Sequence, residues 1–144
     1  MNREILFRAK HIHAMDSNEH LDGTWVHGYL SDKNYINDKS LEGEFLVDEN
    51  TICQYTGLTD KNGKKIFEGD IVRYGEICGE VKFGLHESNW QICKYNQGFY
   101  IEFPEEGLYR KELGYYENKV VVIGNIYDSP KLLEDEENKH GKDI

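Results

Sequence analysis

QYTGLTDKNGKKIFEGDIVRY, Gln54 to Tyr74, sets two sharp turns between short apolar runs, and its reading decides the fold. Asn62-Gly63 is a two-residue turn signal, because both residues tolerate positive φ and the resulting twist matches flanking strands. Lys61, Lys64 and Lys65 flank that turn and are expected to project into solvent. Glu68-Gly69-Asp70 makes a second break, followed by the strand signal Ile71 to Tyr74. The glycine and lysine cluster also invites a phosphate-cradling reading. That reading fails because the GxxxxGK[ST] spacing is missing and no strong helix follows whose N-terminus could hold an anion. The backbone demands of two close turns account for much of the polar chemistry without a ligand.

Working outward, β-branched and aromatic residues recur in short alternating runs separated by Gly, Asn and Asp, which predicts a mainly β protein. REILFRA and TWVHGYL, either side of the polar DSNEHLDG, are expected to pair. EGEFLVD, TICQY, IVRY, GEVKFG, NWQICKY, FYIEF and KVVVIGNIY follow at the spacing of a sandwich or small barrel. PEEGLYRKELGYYEN is too broken by glycine for a long helix and accommodates one helical turn. Near the end, Ser129 suits an N-cap and Pro130 the first helical position, so KLLEDEE begins a short terminal helix, followed by a frayed, solvated tail.

The chain has 144 residues, 38% hydrophobic and 31% charged, with two prolines and fourteen glycines. This is the composition of one compact globular domain with room for a small subdomain. No apolar run approaches the roughly 20 residues that cross a bilayer, and the charged, alternating start has no secretory h-region. A cytoplasmic protein without membrane contact is expected. The three cysteines, Cys53, Cys78 and Cys93, form no CxxC pair, so they read as small buried thiols in a reducing compartment. The formal charge is −10; five acids against two lysines put −3 on residues 134–144 and leave −7 on the rest. Such a balance opposes non-specific binding to a phosphate backbone.

The segment YTGLTDKNGKKIFEGDIV, with REILFRAK, WVHGYL and VVVIGNIYDSPKLL in the same order, resembles the YopX family of phage and prophage proteins from Arg3 to Leu133. The resemblance implies a bacteriophage or prophage setting in a bacterial cytoplasm. It also implies a C-terminal part like an SH3 barrel and an N-terminal part available for self-association. The expected organisation is an N-terminal β subdomain at 1–54, an SH3-like small barrel at 55–128, and a short helix with an acidic tail at 129–144. The family carries no catalytic residues over to this chain.

Four chemical constellations merit weighing. His11 and His13 would share a strand face and, with His20 and His27, form a metal-ligand set; the favoured reading is four partly exposed imidazoles around a polar hairpin, with no metal and no cofactor. Cys78 and His86, eight apart across an expected turn, suggest a thiolate nucleophile, but both are more simply strand and loop residues. Glu105-Glu106 and Glu134 to Glu137 read as solvated surface charge. The aromatic surplus is the strongest lead. Trp25, Tyr29, Tyr74, Trp90, Tyr95, Tyr100, Tyr109, Tyr115, Tyr116 and Tyr127 exceed what a small core comfortably encloses, and Tyr and Trp serve interfaces as well as cores.

Trp25, Tyr29, Tyr74 and Trp90, with Lys61, Lys64 and Lys65, are therefore the candidate binding residues, and no catalytic residue is assigned. The leading expectation is a non-enzymatic, self-associating protein-interaction module: a homo-oligomer that meets an unidentified phage or host protein. Two alternatives have different chemistry. A nucleic-acid-binding small barrel would use aromatic stacking with a local basic edge of Lys61, Lys64, Lys65, Arg73 and Lys82, although the acidic total disfavours it. An acidic DNA mimic would occupy a host enzyme.

Overall fold

The structure is a computed structural model that describes residues 4–12, 23–88, 94–104 and 111–133. Two compact units divide the chain, Met1–Gly57 and Leu58–Ile144. The class is mainly β, with two antiparallel sheets and a short helix near the C-terminus. No helix among the described residues is long and apolar enough to cross a membrane.

The first unit contains β1 (Phe7–Lys10), β2 (Trp25–Asp32), β3 (Tyr35–Asp38), β4 (Gly43–Leu46) and the start of β5 (Cys53–Thr59), in the order β4-β3-β2-β1-β5. REILFRA and TWVHGYL do pair: Ala9 lies opposite Val26 and Phe7 opposite Gly28. NYIND, which carries no clear strand signal among its polar residues, becomes β3. The sheet curls, because the far end of β1 also reaches the end of β4. His11 bridges to Val47, Ile12 N–H donates to the Leu46 carbonyl (2.9 Å), and Asp48 N–H donates to that of Lys10 (2.9 Å). Ala9, Val26, Ile36, Phe45 and Val47 fill the curl, with Phe7 and Ile52 against them.

Close approach within this unit depends on Gly28, where a Cβ would sit 1.8 Å from the Asn37 carbonyl oxygen. A buried carboxylate pins the next bend. Asp38 accepts from the N–H groups of His27 (2.9 Å), Ser40 (3.0 Å) and Leu41 (3.3 Å) and from the Ser40 hydroxyl (2.6 Å).

In the second unit, the end of β5 turns into β6 (Lys65–Phe67), and a four-stranded sheet follows in the order β10-β7-β8-β9. Its strands are β7 (Asp70–Tyr74), β8 (Ile77–Ser88), β9 (Lys94–Glu102) and β10 (Val121–Asn125). The single helical turn α1 (Leu113–Tyr116) falls between β9 and β10, where PEEGLYRKELGYYEN was expected to hold one. Ile66, Val72, Val81, Ile101, Leu113, Tyr116 and Val120 form the core, and Leu58, Tyr74, Phe99, Phe103, Tyr115 and Val122 pack on it. Among the described residues no closed barrel is found: the sheet ends in two outer strands, β10 and β9, so the barrel expected at 55–128 agrees in strand content and not, over those residues, in closure.

Helix begins at Lys131, one residue past the expected Pro130, and residues 131–133 are helical. Its start packs on its own sheet: a Cβ at Gly124 of β10 would lie 2.9 Å from Leu132 Cδ1 and 3.2 Å from Ser129 Cβ. Glycine at that position lets the terminal turn seat closely.

Candidate interaction surface

The turn stretch is organised by an acid, not by its lysines. Asp60 is 1% exposed. One carboxylate oxygen accepts from Asn62 N–H (2.8 Å) and Lys64 N–H (2.9 Å), closing the turn; the other accepts from Val122 N–H (2.9 Å), 62 residues later in β10. Lys61 N–H donates to the Val120 carbonyl (2.8 Å) and Asn118 N–H to that of Thr59 (3.3 Å), so β10 is tied to this turn over several residues. Burial pushes the Asp60 carboxyl up, but the Val122, Lys64 and Asn62 N–H groups and the Lys64 charge outweigh it and hold the group below the usual carboxylate range.

The turn itself differs from the two-residue type expected from Asn62-Gly63. Gly63 N–H donates to the Asp60 carbonyl (3.0 Å), Asp60 N–H donates to that of Lys64 (2.8 Å), and Gly63, not Asn62, has positive φ (82°). A three-residue loop ending in a left-handed glycine results. The Asp60 carboxylate, by gathering the N–H groups two and four residues on, selects it. The second break repeats the device: Asp70 accepts from Phe67 N–H (2.8 Å), while Gly69 (φ 86°) donates to the Val81 carbonyl (2.8 Å) and accepts from Ile126 N–H (2.9 Å).

Lys61, Lys64 and Lys65 point into solvent. Tyr74 is half-buried and meets Tyr116 edge-on (centroids 5.1 Å), which itself contacts Phe103 and Tyr115, so Tyr74, Tyr115 and Tyr116 of the aromatic surplus belong to the core cluster. Trp25 and Tyr29 belong to the first unit. The Arg8 guanidinium lies 4.7 Å and the Lys10 ammonium 5.6 Å from the Trp25 ring centre, giving the half-buried indole two cationic neighbours; Tyr29 is exposed. Trp90 lies outside the described residues, as do Tyr109, His13, His20 and Cys93.

Of the histidine set, only His11 and His27 are among the described residues, and these two do not come together; nor do Cys78 and His86. His11 follows the core face of β1, with Nδ1 2.9 Å from the Leu46 carbonyl and its ring edge-on to Phe45, whereas His27 pairs with Arg8 on the opposite face. Alternation of side chains therefore separates them. Cys78 and His86 sit in one uninterrupted strand, β8, not across a turn, so their eight-residue separation spans about 26 Å. Among the described residues no cluster of three or more His, Cys, Asp and Glu could hold a metal.

A cavity of about 130 Å³ opens beside Glu80, Lys82, Glu102, Phe103, Pro104 and Leu133. Glu80 and Glu102 lie directly opposite each other, and Lys82 is ion-paired with Glu102. Burial pushes the Glu80 carboxyl up; the Lys82 charge opposes this, and Glu102 and Glu68 reinforce it.

The feature that the sequence reading missed is the outer half of β8 and β9. Only residues 77–80 of β8 pair with β7, whereas pairing with β9 continues from Glu80 opposite Glu102 to Ser88 opposite Lys94. Beyond Val81 the two strands thus run on as a ribbon. Phe83 is 52% and Leu85 67% exposed there, and Phe83 meets Phe99 edge-on at 5.0 Å. Both follow the alternation of buried Val81, so the core-facing side of the sheet is carried out into solvent. On the other side, Gly84 and Gly98 lie opposite each other, and His86 stacks on Tyr100 (4.6 Å, 23°). GEVKFGLHES shows the alternation; what it lacks is any sign that the neighbouring strand stops halfway.

The YopX protein family model matches residues 6–134. A search of the curated proteins gives no match. With nearly the whole described chain inside the matched span, the protein belongs to the YopX family.

Proposed function

We propose that the protein is a non-enzymatic, self-associating protein-interaction module that acts in the cytoplasm of a phage-carrying bacterial cell. The observation that carries this reading is the β8–β9 ribbon, which belongs to the second unit and not to the N-terminal part that the resemblance points to, and which leaves the sheet with Phe83 and Leu85 exposed on a face continuous with the core side. Exposed large apolar side chains grouped on one element suit a protein partner, since single scattered ones are ordinary on any surface. The turn cluster supports the same reading from the other side. Its conspicuous polar residues serve backbone closure, which leaves less of the sequence to be explained by catalysis or by a phosphate ligand.

The nucleic-acid alternative rests on the exposed lysines of that turn and is the weaker reading. They accompany a formal charge of −10, and Lys64 lies beside the Asp60 carboxylate. Native mass spectrometry of tag-free full-length protein, gently purified from a bacterial host, tests the proposal. A discrete multiple of the chain mass is expected. Monomer at every concentration would overturn self-association, and a complex with oligonucleotide mass would replace it with the nucleic-acid reading.

A further inference from the structure

We infer that the partner at the ribbon is a second copy of this chain, joined edge to edge along β8 about a two-fold axis at Leu85. The inference rests on the self-association proposed above and specifies where and in which register it occurs.

Backbone direction gives the first argument. Gly69 N–H donates to the Val81 carbonyl from one side of the β8–β9 pair, and Ile101 N–H donates to the Lys111 carbonyl on the other. Val81 and Ile101 are directly opposite, so both turn their backbone groups away from each other. In an antiparallel ladder this alternates, and the same direction recurs at Phe83, Leu85 and Glu87. β7 ends its pairing with β8 at Glu80, opposite Ile71. Among the described residues, no backbone partner meets the outward groups of these three. An edge of this kind is a template for another strand.

Charge selects the occupant. Beyond Lys82, which is ion-paired with Glu102, residues 83–88 carry Glu87 and residues 94–99 carry Lys94, so the outer ribbon sums to zero in a chain of −10. Two copies that repel elsewhere can meet there. A foreign basic segment would find its charge attraction elsewhere on the molecule, whereas a neutral, apolar edge suits an identical neutral, apolar edge.

Register follows from counting. With Leu85 on the axis, Phe83 faces the partner's Glu87, Leu85 faces the partner's Leu85, and Glu87 faces the partner's Phe83. All three outward residues are then paired. Moving the axis toward Val81 meets a carbonyl already taken by Gly69; moving it to Glu87 places two glutamates directly opposite, which is destabilising. In the Leu85 register the two Glu87 residues are about 13 Å apart along the strand, beyond the roughly 8 Å screening length at physiological salt. The ribbon edge is short beside the roughly 800 Å² per partner of a standard interface, so the dimer is weak and depends on concentration.

Cysteine cross-linking of the full chain reads this register. In a Cys93→Ser background, Cys53 and Cys78 being buried, Leu85→Cys is oxidised and run on a non-reducing gel beside Phe83→Cys and Glu87→Cys, with light scattering on the unoxidised samples. Opposed cysteines in the Leu85 register fall within the roughly 7 Å Cα limit of a disulfide, whereas two Phe83→Cys chains stand about 13 Å apart. The expected result is a covalent dimer for Leu85→Cys, at least tenfold less for Phe83→Cys or Glu87→Cys alone, and restored dimer when those two variants are mixed. Equal yields at all three positions would overturn the inference. A dimer in scattering without Leu85→Cys cross-linking would overturn it while leaving self-association standing, and monomer throughout would remove both.

Discussion

The Asp60 turn and the β8–β9 ribbon are two hairpins of the second unit with opposite chemistry. The turn is crowded with charge, yet its organising group is a buried carboxylate bound to three backbone N–H groups. The ribbon is neutral overall, yet it puts Phe83 and Leu85 into water and leaves backbone groups facing outward. Polarity in the sequence thus marks architecture in one place, and apolarity marks exposed surface in the other. If the ribbon is the contact surface as proposed, locating that surface by its charged residues would choose the wrong hairpin.

Asp60→Asn should give the largest effect on this contrast. An amide can keep one accepting oxygen but presents N–H to N–H at Val122 or at the turn, losing a charge-assisted acceptor at a buried site; the cost is about 3 kcal/mol. Urea unfolding of the full chain measures it. A loss below ~1 kcal/mol would mean that the turn holds without its carboxylate.

Acid should expose the same group. Its folded pKa lies below the ordinary value, as does that of Asp38, where burial raises the pKa but the His27, Ser40 and Leu41 donors outweigh it. Stability from both is present above the unfolded pKa of about 3.9 and is lost as pH falls through the folded values. Melting temperature should therefore drop steeply below about pH 4, and the drop should be shallower in Asp60→Asn. Parallel acid profiles for the two proteins would contradict this assignment.

Glu80→Gln should act in the opposite direction and more weakly. Burial favours its neutral form, so its stabilising term is present below the unfolded pKa and lost as pH rises through the raised folded value. The variant should melt about 1–3 °C higher at pH 7 and no higher at pH 4. A lower melting point at pH 7 would show that the charged carboxylate stabilises the cluster with Lys82 and Glu102. Smallest of all should be reversal of Lys61, Lys64 and Lys65 to Glu together: the side chains are exposed, and scattering should return the wild-type mass. A changed oligomer would return the turn to the list of contact surfaces.

Much of the architecture was legible because it follows alternation. REILFRA with TWVHGYL, the strands at IVRY and KVVVIGNIY, the single turn at Leu113 and the helical start after Ser129 all have local signatures, whereas GEVKFG runs on to Ser88 and FYIEF is the end of one longer strand, Lys94–Glu102. What was not legible depends on distant partners. Asp60 looks like any turn acid until Val122 arrives from β10, and Tyr35 to Asp38 become a strand through pairing with β2 and β4 rather than through propensity. For the candidate site, the exposed lysines follow from local turn chemistry. Tyr74 was chosen for its ring, but Tyr116 covers one side of it. Phe83 and Leu85 escaped notice because their exposure is set by where β7 stops, a property of another segment.

Sedimentation velocity of the wild-type chain and Leu85→Ser, over a concentration series at physiological salt, tests the central claim most directly. The prediction is a reversible monomer–dimer equilibrium for the wild type, with association at least tenfold weaker in Leu85→Ser and both proteins equally folded by circular dichroism. Equal association of the two, or monomer alone in both, would contradict the assignment of the ribbon as the contact surface.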